Sequence, residues 1–387
     1  MKFVRTEELK IGMRLAKPIY NKTGVLLYDR NSKLTSQSID SVKNFHLIGV
    51  YILEPAEPLP PQNADDIEFE KFQMVSVFSV EEELQNIIQR GKPGRIHFLA
   101  ENIVKNYGRL DHKINFLQNL RSKADFVYKH SLNVAILTAM ICRKMNVRNE
   151  EQVEAVIAAI VHDVGKLNCD HDLLLKDDIT EDEEKDLQHA EFSGIGTIEA
   201  AFVSTPNIKR IVMQAYKTLD AYRKGEQVEG IKMTNAARAL CVAEEYDRMT
   251  AINSNGEPQS ELAVIRVMMD QPDYFDRRAV DALVASINLL TEGVCVELST
   301  GEEALVIAPN DENIFRPMVL CFSTNTIIDL AMTALYADIE IVDVVKSLDN
   351  RYVMKPDEKK PEDETKSEES PEAEKPDDTE EEPKAEE

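Results

Sequence analysis

The alternation of apolar and polar positions divides the 387-residue chain into five stretches. In residues 1–57, positions 13–20 alternate as a strand, 21–24 read as a turn and 25–28 as a returning strand, together a hairpin. Positions 36–45 have helical spacing and 49–53 read as another strand, so this stretch is a small β-rich module. Its plainest reading is packing or docking. Residues 58–68 continue the proline-rich run EPAEPLPPQNADD, too poor in apolar residues to fold, and read as a linker.

From 69 to 292 the period is helical. Phe126, Val127, Leu132, Ala135, Ile136, Ala139, Met140 and Ile141 recur at the spacing of a buried helix face. Val153, Val156, Ile157, Ile160 and Val161 repeat that spacing, and Gly165 stands where the helix would stop. Thr180 with Glu183 forms a capping box that opens the next helix. Helices over 208–222, 235–251, 260–269 and 276–290 complete an all-α domain. The period then shortens to two: strands over 293–298, 304–307 and 318–322, with shorter ones near Thr326 and Ile339, predict a small C-terminal β appendage over 293–354. Residues 355–387 contain almost nothing apolar and read as a disordered acidic tail. The expected fold class is mainly α, with a small β element at each flank.

Charge narrows the function. The formal net charge is −25, which argues against direct nucleic-acid binding. The tail holds 16 acidic against 6 basic residues, so it carries 10 of those 25 negative charges. The five cysteines are dispersed, without a CxxC pair, as in a protein with reduced thiols. The N-terminus has no apolar run of a signal peptide, and no stretch reaches the ~18 apolar residues of a membrane span. A cytoplasmic protein without a membrane partner is expected.

Candidate chemistry centres on VHDVGK, residues 161–166. An imidazole and a carboxylate side by side, His162 and Asp163, suit a metal ion that activates water, and the carboxylate can bridge two ions. Lys166, about one turn on, suits a phosphate oxygen. The plainer readings are a capping His-Asp pair and a lysine favoured by the helix dipole. His130 lies in the preceding apolar helix, where a lone histidine is ordinarily a core residue; a second helix supplying His162 and Asp163 changes that balance. His189 alone reads as a surface residue, and Glu191 as pointing elsewhere. Glu244 follows apolar positions and faces inward, whereas Glu245 and Asp247 read as solvated. Asp170, His171 and Asp172 read as an exposed loop.

Together these residues resemble the HD superfamily of metal-dependent phosphohydrolases, with its order H…HD…D. More narrowly, the chain is similar to the bacterial HD-GYP cyclic di-GMP phosphodiesterases. HDVGKL is close to the family's HDIGK, His130 falls on its first histidine, His189 on its later single histidine, and VAEEYDRMTA stands where the family has VADxYDALT. The family's HHExxDGxGYP segment falls on residues 215–225, where Ala215, Tyr216 and Lys217 replace HHE, Asp220 survives and the GYP signature is absent. Glu244 replaces the metal-binding aspartate, and Phe126 occupies a position that can carry an extra glutamate.

The resemblance implies one complete metal site, His130, His162, Asp163 and Glu244. A second site keeps only Asp163 and His189. It implies a divalent transition metal (Fe, Mn, Zn or Ni), one per chain, with Asp163 and Lys166 as catalytic groups and Lys166 and Asp220 as substrate-binding groups. The implied ligand is cyclic di-GMP or a related phosphodiester, and the resemblance also admits a homodimer. Two functions remain open at this point: a one-metal phosphodiesterase, or a catalytically inactive HD-GYP pseudo-enzyme that signals by binding a nucleotide or partner. A purely structural helical domain is a third, weaker reading.

Overall fold

The N-terminal apolar positions form two small sheets. Strands β1 (Lys2–Arg5), β2 (Arg14–Leu15) and β5 (Gly49–Leu53) lie antiparallel in the order β1-β5-β2, while β3 (Ile19–Tyr20) pairs with β4 (Leu26–Tyr28). The single strand expected over 13–20 is therefore two strands serving different sheets. Pro18 lies between them and has no N–H for a ladder. Helix α1 (Ser36–Asn44) is closed at its start by a capping box between Thr35 and Ser38. It packs its buried Ile39 and Val42 into the cluster formed with Leu15, Leu34 and Val50.

The computed structural model describes residues 2–20, 25–45, 47, 49–53, 63–116, 118, 121, 125–169, 173, 180–228, 230, 232–251, 259–310 and 312–345, all within one compact unit spanning 1–347. The turn expected at 21–24, His46, the proline run over 54–62, the 170–172 cluster and the acidic tail lie outside the described residues.

The middle of the chain is helical: α2 (Ala64–Arg90), α3 (Ile96–Asn106), α4 (Phe126–Lys144), α5 (Asn149–Val161), α6 (Glu181–Ala201), α7 (Pro206–Lys224), α8 (Asn235–Thr250), α9 (Glu261–Asp270) and α10 (Arg277–Val284). Helix α2 begins inside the stretch expected to be linker. Asn63 accepts from the Asp66 N–H, and the Asp66 carboxylate accepts from the Asn63 N–H, a reciprocal cap that starts the helix at Ala64. Helix α10 ends earlier than the expected 290, because the chain turns to bridge Ile287 with Ile114. Helix α4 is buried on nearly all sides from Val127 to Cys142, with α2, α5, α8 and α10 packed around it. A helix with neighbours all round has no polar face, which is why its apolar positions are almost continuous.

The C-terminal sheet has five antiparallel strands, β6 (Cys295–Leu298), β7 (Glu303–Ala308), β8 (Met318–Cys321), β9 (Ile327–Asp329) and β10 (Ile341–Val344), in the order β10-β6-β7-β8-β9. A short helix α11 (Thr333–Tyr336) precedes the last strand. The sheet's buried Val296, Val306 and Val319 share a cluster with Leu262 of α9. The molecule is thus mainly helical with small sheets at both flanks, as the periodicity predicts. Among the described residues no helix is long and apolar enough to cross a membrane.

Candidate metal centre

Three helices deliver the site. His130 comes from the first turns of α4, His162 from the end of α5 and Glu244 from the middle of α8. Beyond Val161 the chain tightens into a 3-10 turn (Val164–Asn168). That turn carries Asp163 and Lys166 back over the end of α5, and the Lys166 N–H donates to the Asp163 carbonyl. Gly165 makes the turn fit against α6: a Cβ there would lie 2.0 Å from the Ala190 carbonyl oxygen and 3.0 Å from the Gly194 Cα. Its glycine is required by close helix approach rather than by helix termination.

The two imidazoles face each other, His130 Nε2 to His162 Nε2 at 3.3 Å. Glu244 Oε2 lies 2.6 Å from the first and 3.0 Å from the second. Asp163 reaches them at 3.6 Å and 3.7 Å. His130, His162 and Asp163 offer ligand atoms all within 4.8 Å of one another. Both histidines are held in the same tautomeric sense: His162 Nδ1–H donates to the Ala159 carbonyl at 2.7 Å, and His130 Nδ1–H to Asp247 Oδ2 at 2.6 Å. With an ion bound, each Nε2 would present its lone pair to it; without one, His130 Nε2–H donates to Glu244. Two nitrogens bound at ~2.1 Å to one ion stand roughly 3.0–3.4 Å apart in octahedral or tetrahedral geometry. The imidazole separation and the N, N, O, O donor set therefore fit a first-row divalent metal.

The buried charges offset one another. Burial opposes the charge on Glu244, but His130 and His162 outweigh it and hold its carboxyl well below the usual range. Burial likewise opposes His130 and is outweighed by Glu244 and Asp247, so the imidazole is pushed up to about 9. Asp163 is held low against its burial by Lys166 and His162. Lys166 Nζ sits 2.9 Å from Asp163 Oδ2 and 3.0 Å from Glu191 Oε1, and these two carboxylates raise its pKa despite burial.

Behind the histidine lies a buried polar network. Asp247 is fully buried and accepts from His130, from Arg121 and, at 2.9 Å, from Asn133. Glu245 is also fully buried, paired with Arg248. The expectation that Asp247 and Glu245 are solvated is corrected: α8 is buried on nearly every side, so its inward acidic residues need internal partners. The sequence carried a signal for this, since Asp247 lies one turn beyond Glu244 and Leu240, Cys241, Val242 and Ala243 leave that helix no polar face.

Two other expected site residues are not gathered. His189 lies exposed on α6, outside the cluster. Positions 189 and 191 are about 200° apart around a helix, and it is Glu191 that turns inward to Lys166. Asp220 stands beyond the edge of the α7 face that lines the site and is bonded to Lys224 at 2.9 Å. The inward face of α7 instead carries Ala215, Tyr216, Leu219 and Arg223. These residues border a cleft of about 440 Å³, open to solvent, whose floor includes His162, Asp163 and Glu244.

The family model for the HD domain matches residues 127–249, the stretch that contains all four converging side chains. Over this segment the chain matches the HD domain. Two curated relatives are cyclic di-GMP phosphodiesterases: PA4108 of Pseudomonas aeruginosa, 22% identical over 58% of this chain, and PdeB of Borreliella burgdorferi, 23% identical over 53%. The chain spans about half the length of these relatives, 54% and 55% respectively. A solved structure, Bd1817, a HDG"Y"P protein from Bdellovibrio bacteriovorus, aligns with 73% of this chain and 97% of its own at 15% identity and a TM-score of 0.42. The resemblance drawn from the motifs thus holds for the HD domain, whose phosphohydrolase family is metal-dependent, and for its cyclic di-GMP phosphodiesterase relatives.

Proposed function

We propose that the HD domain is a bacterial signalling phosphodiesterase that acts on cyclic di-GMP or a related phosphodiester with one divalent transition metal, Fe, Mn, Zn or Ni. The observation that carries this reading is the convergence of His130 Nε2, His162 Nε2 and Glu244 Oε2 within 3.3 Å of one another, beside Asp163. The ion, when held by these residues, supplies a Lewis acid and a lowered pKa for bound water. Asp163, held as a carboxylate by Lys166, accepts a hydrogen bond from the attacking water and sets its direction. Lys166, paired with Asp163 and Glu191, keeps a positive charge beside the cleft floor, where it offsets part of the local negative charge. Asp247 fixes the His130 ring without touching substrate.

A second reading is favoured by the far side of the cleft. Ala215 and Tyr216 stand where the resemblance places two histidines, and His189 is exposed, so a second ion has few donors there. On that reading the domain binds the nucleotide or a partner and signals without hydrolysis. Incubation of the full chain with cyclic di-GMP and Mn or Fe distinguishes the two. The phosphodiesterase reading predicts turnover that falls by about two orders of magnitude in Asp163→Ala. Saturable binding without turnover supports the pseudo-enzyme, and neither binding nor turnover contradicts both.

A further inference from the structure

The cleft beside the metal ligands is crowded with negative charge: Asp163, Glu191 and Glu244 line it, and buried Glu245 lies behind. A phosphodiester entering this space needs cationic partners beyond one metal. Lys166 is already committed, with carboxylates at 2.9 Å and 3.0 Å. Arg223 is placed differently. It projects from the last turn of α7 into the cleft, and its side chain remains 33% exposed. Its Nη2 contacts Glu244 Oε1 at 3.2 Å and Glu245 Oε2 at 3.5 Å. Among the described residues these carboxylate contacts all fall on Nη2. A guanidinium has five N–H donors, so Nε–H and the Nη1 N–H groups, which flank the engaged Nη2, remain to donate singly to phosphate oxygens. Glu245 does not depend on Arg223 for neutralisation, because Arg248 also pairs with it.

Glu244 divides its two oxygens between these tasks. Oε2 faces both histidines and Oε1 faces Arg223. One carboxylate therefore links the proposed metal position to the guanidinium and fixes the distance between two positive centres. Helix α7 runs on to Lys224 before Gly225 closes it in the left-handed conformation, which places Arg223 in its last turn, at the cleft.

We infer that Arg223 is a substrate-binding residue of this site, donating to the non-bridging oxygens of a phosphodiester as the second cationic partner beside a single metal. The inference rests on the reading of the site as a metal-dependent phosphodiester site. Its test is calorimetric titration of the metal-loaded full chain with cyclic di-GMP and with inorganic phosphate, in wild type, Arg223→Gln and Arg223→Lys, with metal content and thermal midpoint measured on each. Arg223→Gln is expected to weaken both ligands at least tenfold while retaining metal and fold, and to flatten the salt dependence of binding. Arg223→Lys is expected to recover part of the loss. Unchanged affinity in Arg223→Gln overturns the inference while leaving the metal site intact. Loss of metal in that variant also overturns it, because Arg223 would then act only through Glu244. Wild-type protein that takes up metal but neither ligand overturns the underlying reading as well.

Discussion

His130 acts through one nitrogen because Asp247 holds the other. The imidazole is buried and its Nδ1–H donates to Asp247, which is itself tied to Arg121 and Asn133. Outer-shell partners of this kind tune ligand basicity and ring orientation. Asp247→Asn should therefore lower metal affinity by roughly 10–100-fold while leaving His162, Asp163 and Glu244 in place. Competition of the variant against a metallochromic chelator would read this out, and unchanged affinity would deny the positioning role. The sequence made the converging side chains legible, since His130, His162, Asp163 and Glu244 follow a recognisable order. It left Asp247 and Arg223 obscure, because an acidic or basic residue looks solvated until the burial of its helix is known. His189 was misleading for a related reason: its position in a motif says nothing of which helix face the neighbours select.

At the scale of elements, the site depends on how the 3-10 turn meets α6. Gly165 and Gly194 are in backbone contact, with the Gly165 N only 2.8 Å from where a Cβ on Gly194 would stand. Gly165→Ala should push α6 away, destabilise the domain by about 3 kcal/mol and break the Lys166–Glu191 pair. Urea unfolding of the variant checks the first effect; a change within 0.5 kcal/mol, the range of an ordinary surface substitution, would show that α6 is not held by this contact. Periodicity made the helices legible where apolar runs were long, as in α4 and α8. It failed at element ends that depend on specific partners: the Asn63–Asp66 cap that starts α2, Pro18 dividing β2 from β3, and the Ile114–Ile287 bridge that ends α10 early.

Across the whole molecule, Lys17 joins the N-terminal sheets to the helices. Its Nζ donates to the Gln118 carbonyl at 2.9 Å and stands 4.4 Å over the Tyr51 ring. Gln118 in turn accepts from Asn133, a partner of Asp247, so the N-terminal region is connected by hydrogen bonds to the shell of the metal centre. Burial draws Lys17 down to about 8, opposed by Glu70 and Glu261, and burial pushes Glu261 up to about 7, opposed by Lys17. For Glu261 the folded value lies above the ordinary glutamate value of 4.5, so its favourable contribution is full at low pH and lost as pH rises to about 7. For Lys17 the folded value lies below 10.5, so its cost is full below about pH 8 and relieved toward pH 10.5. Wild-type stability should fall between pH 5 and 7 by an amount on the order of 1–3 kcal/mol more than that of Glu261→Gln. Denaturant titrations of both proteins across that range measure the difference, and parallel pH profiles would contradict this assignment. None of this junction was legible in the sequence, because residues 17, 51, 118 and 261 are far apart in the chain.

The proposed function requires a single metal held by His130, His162, Asp163 and Glu244. The most direct measurement is elemental analysis of the full chain after metal loading and exhaustive dialysis, for wild type and His162→Ala. The prediction is about one transition metal per wild-type chain and close to none in His162→Ala with its helical content retained. A wild-type chain without metal, one with two, or a His162→Ala variant that keeps its metal would contradict it.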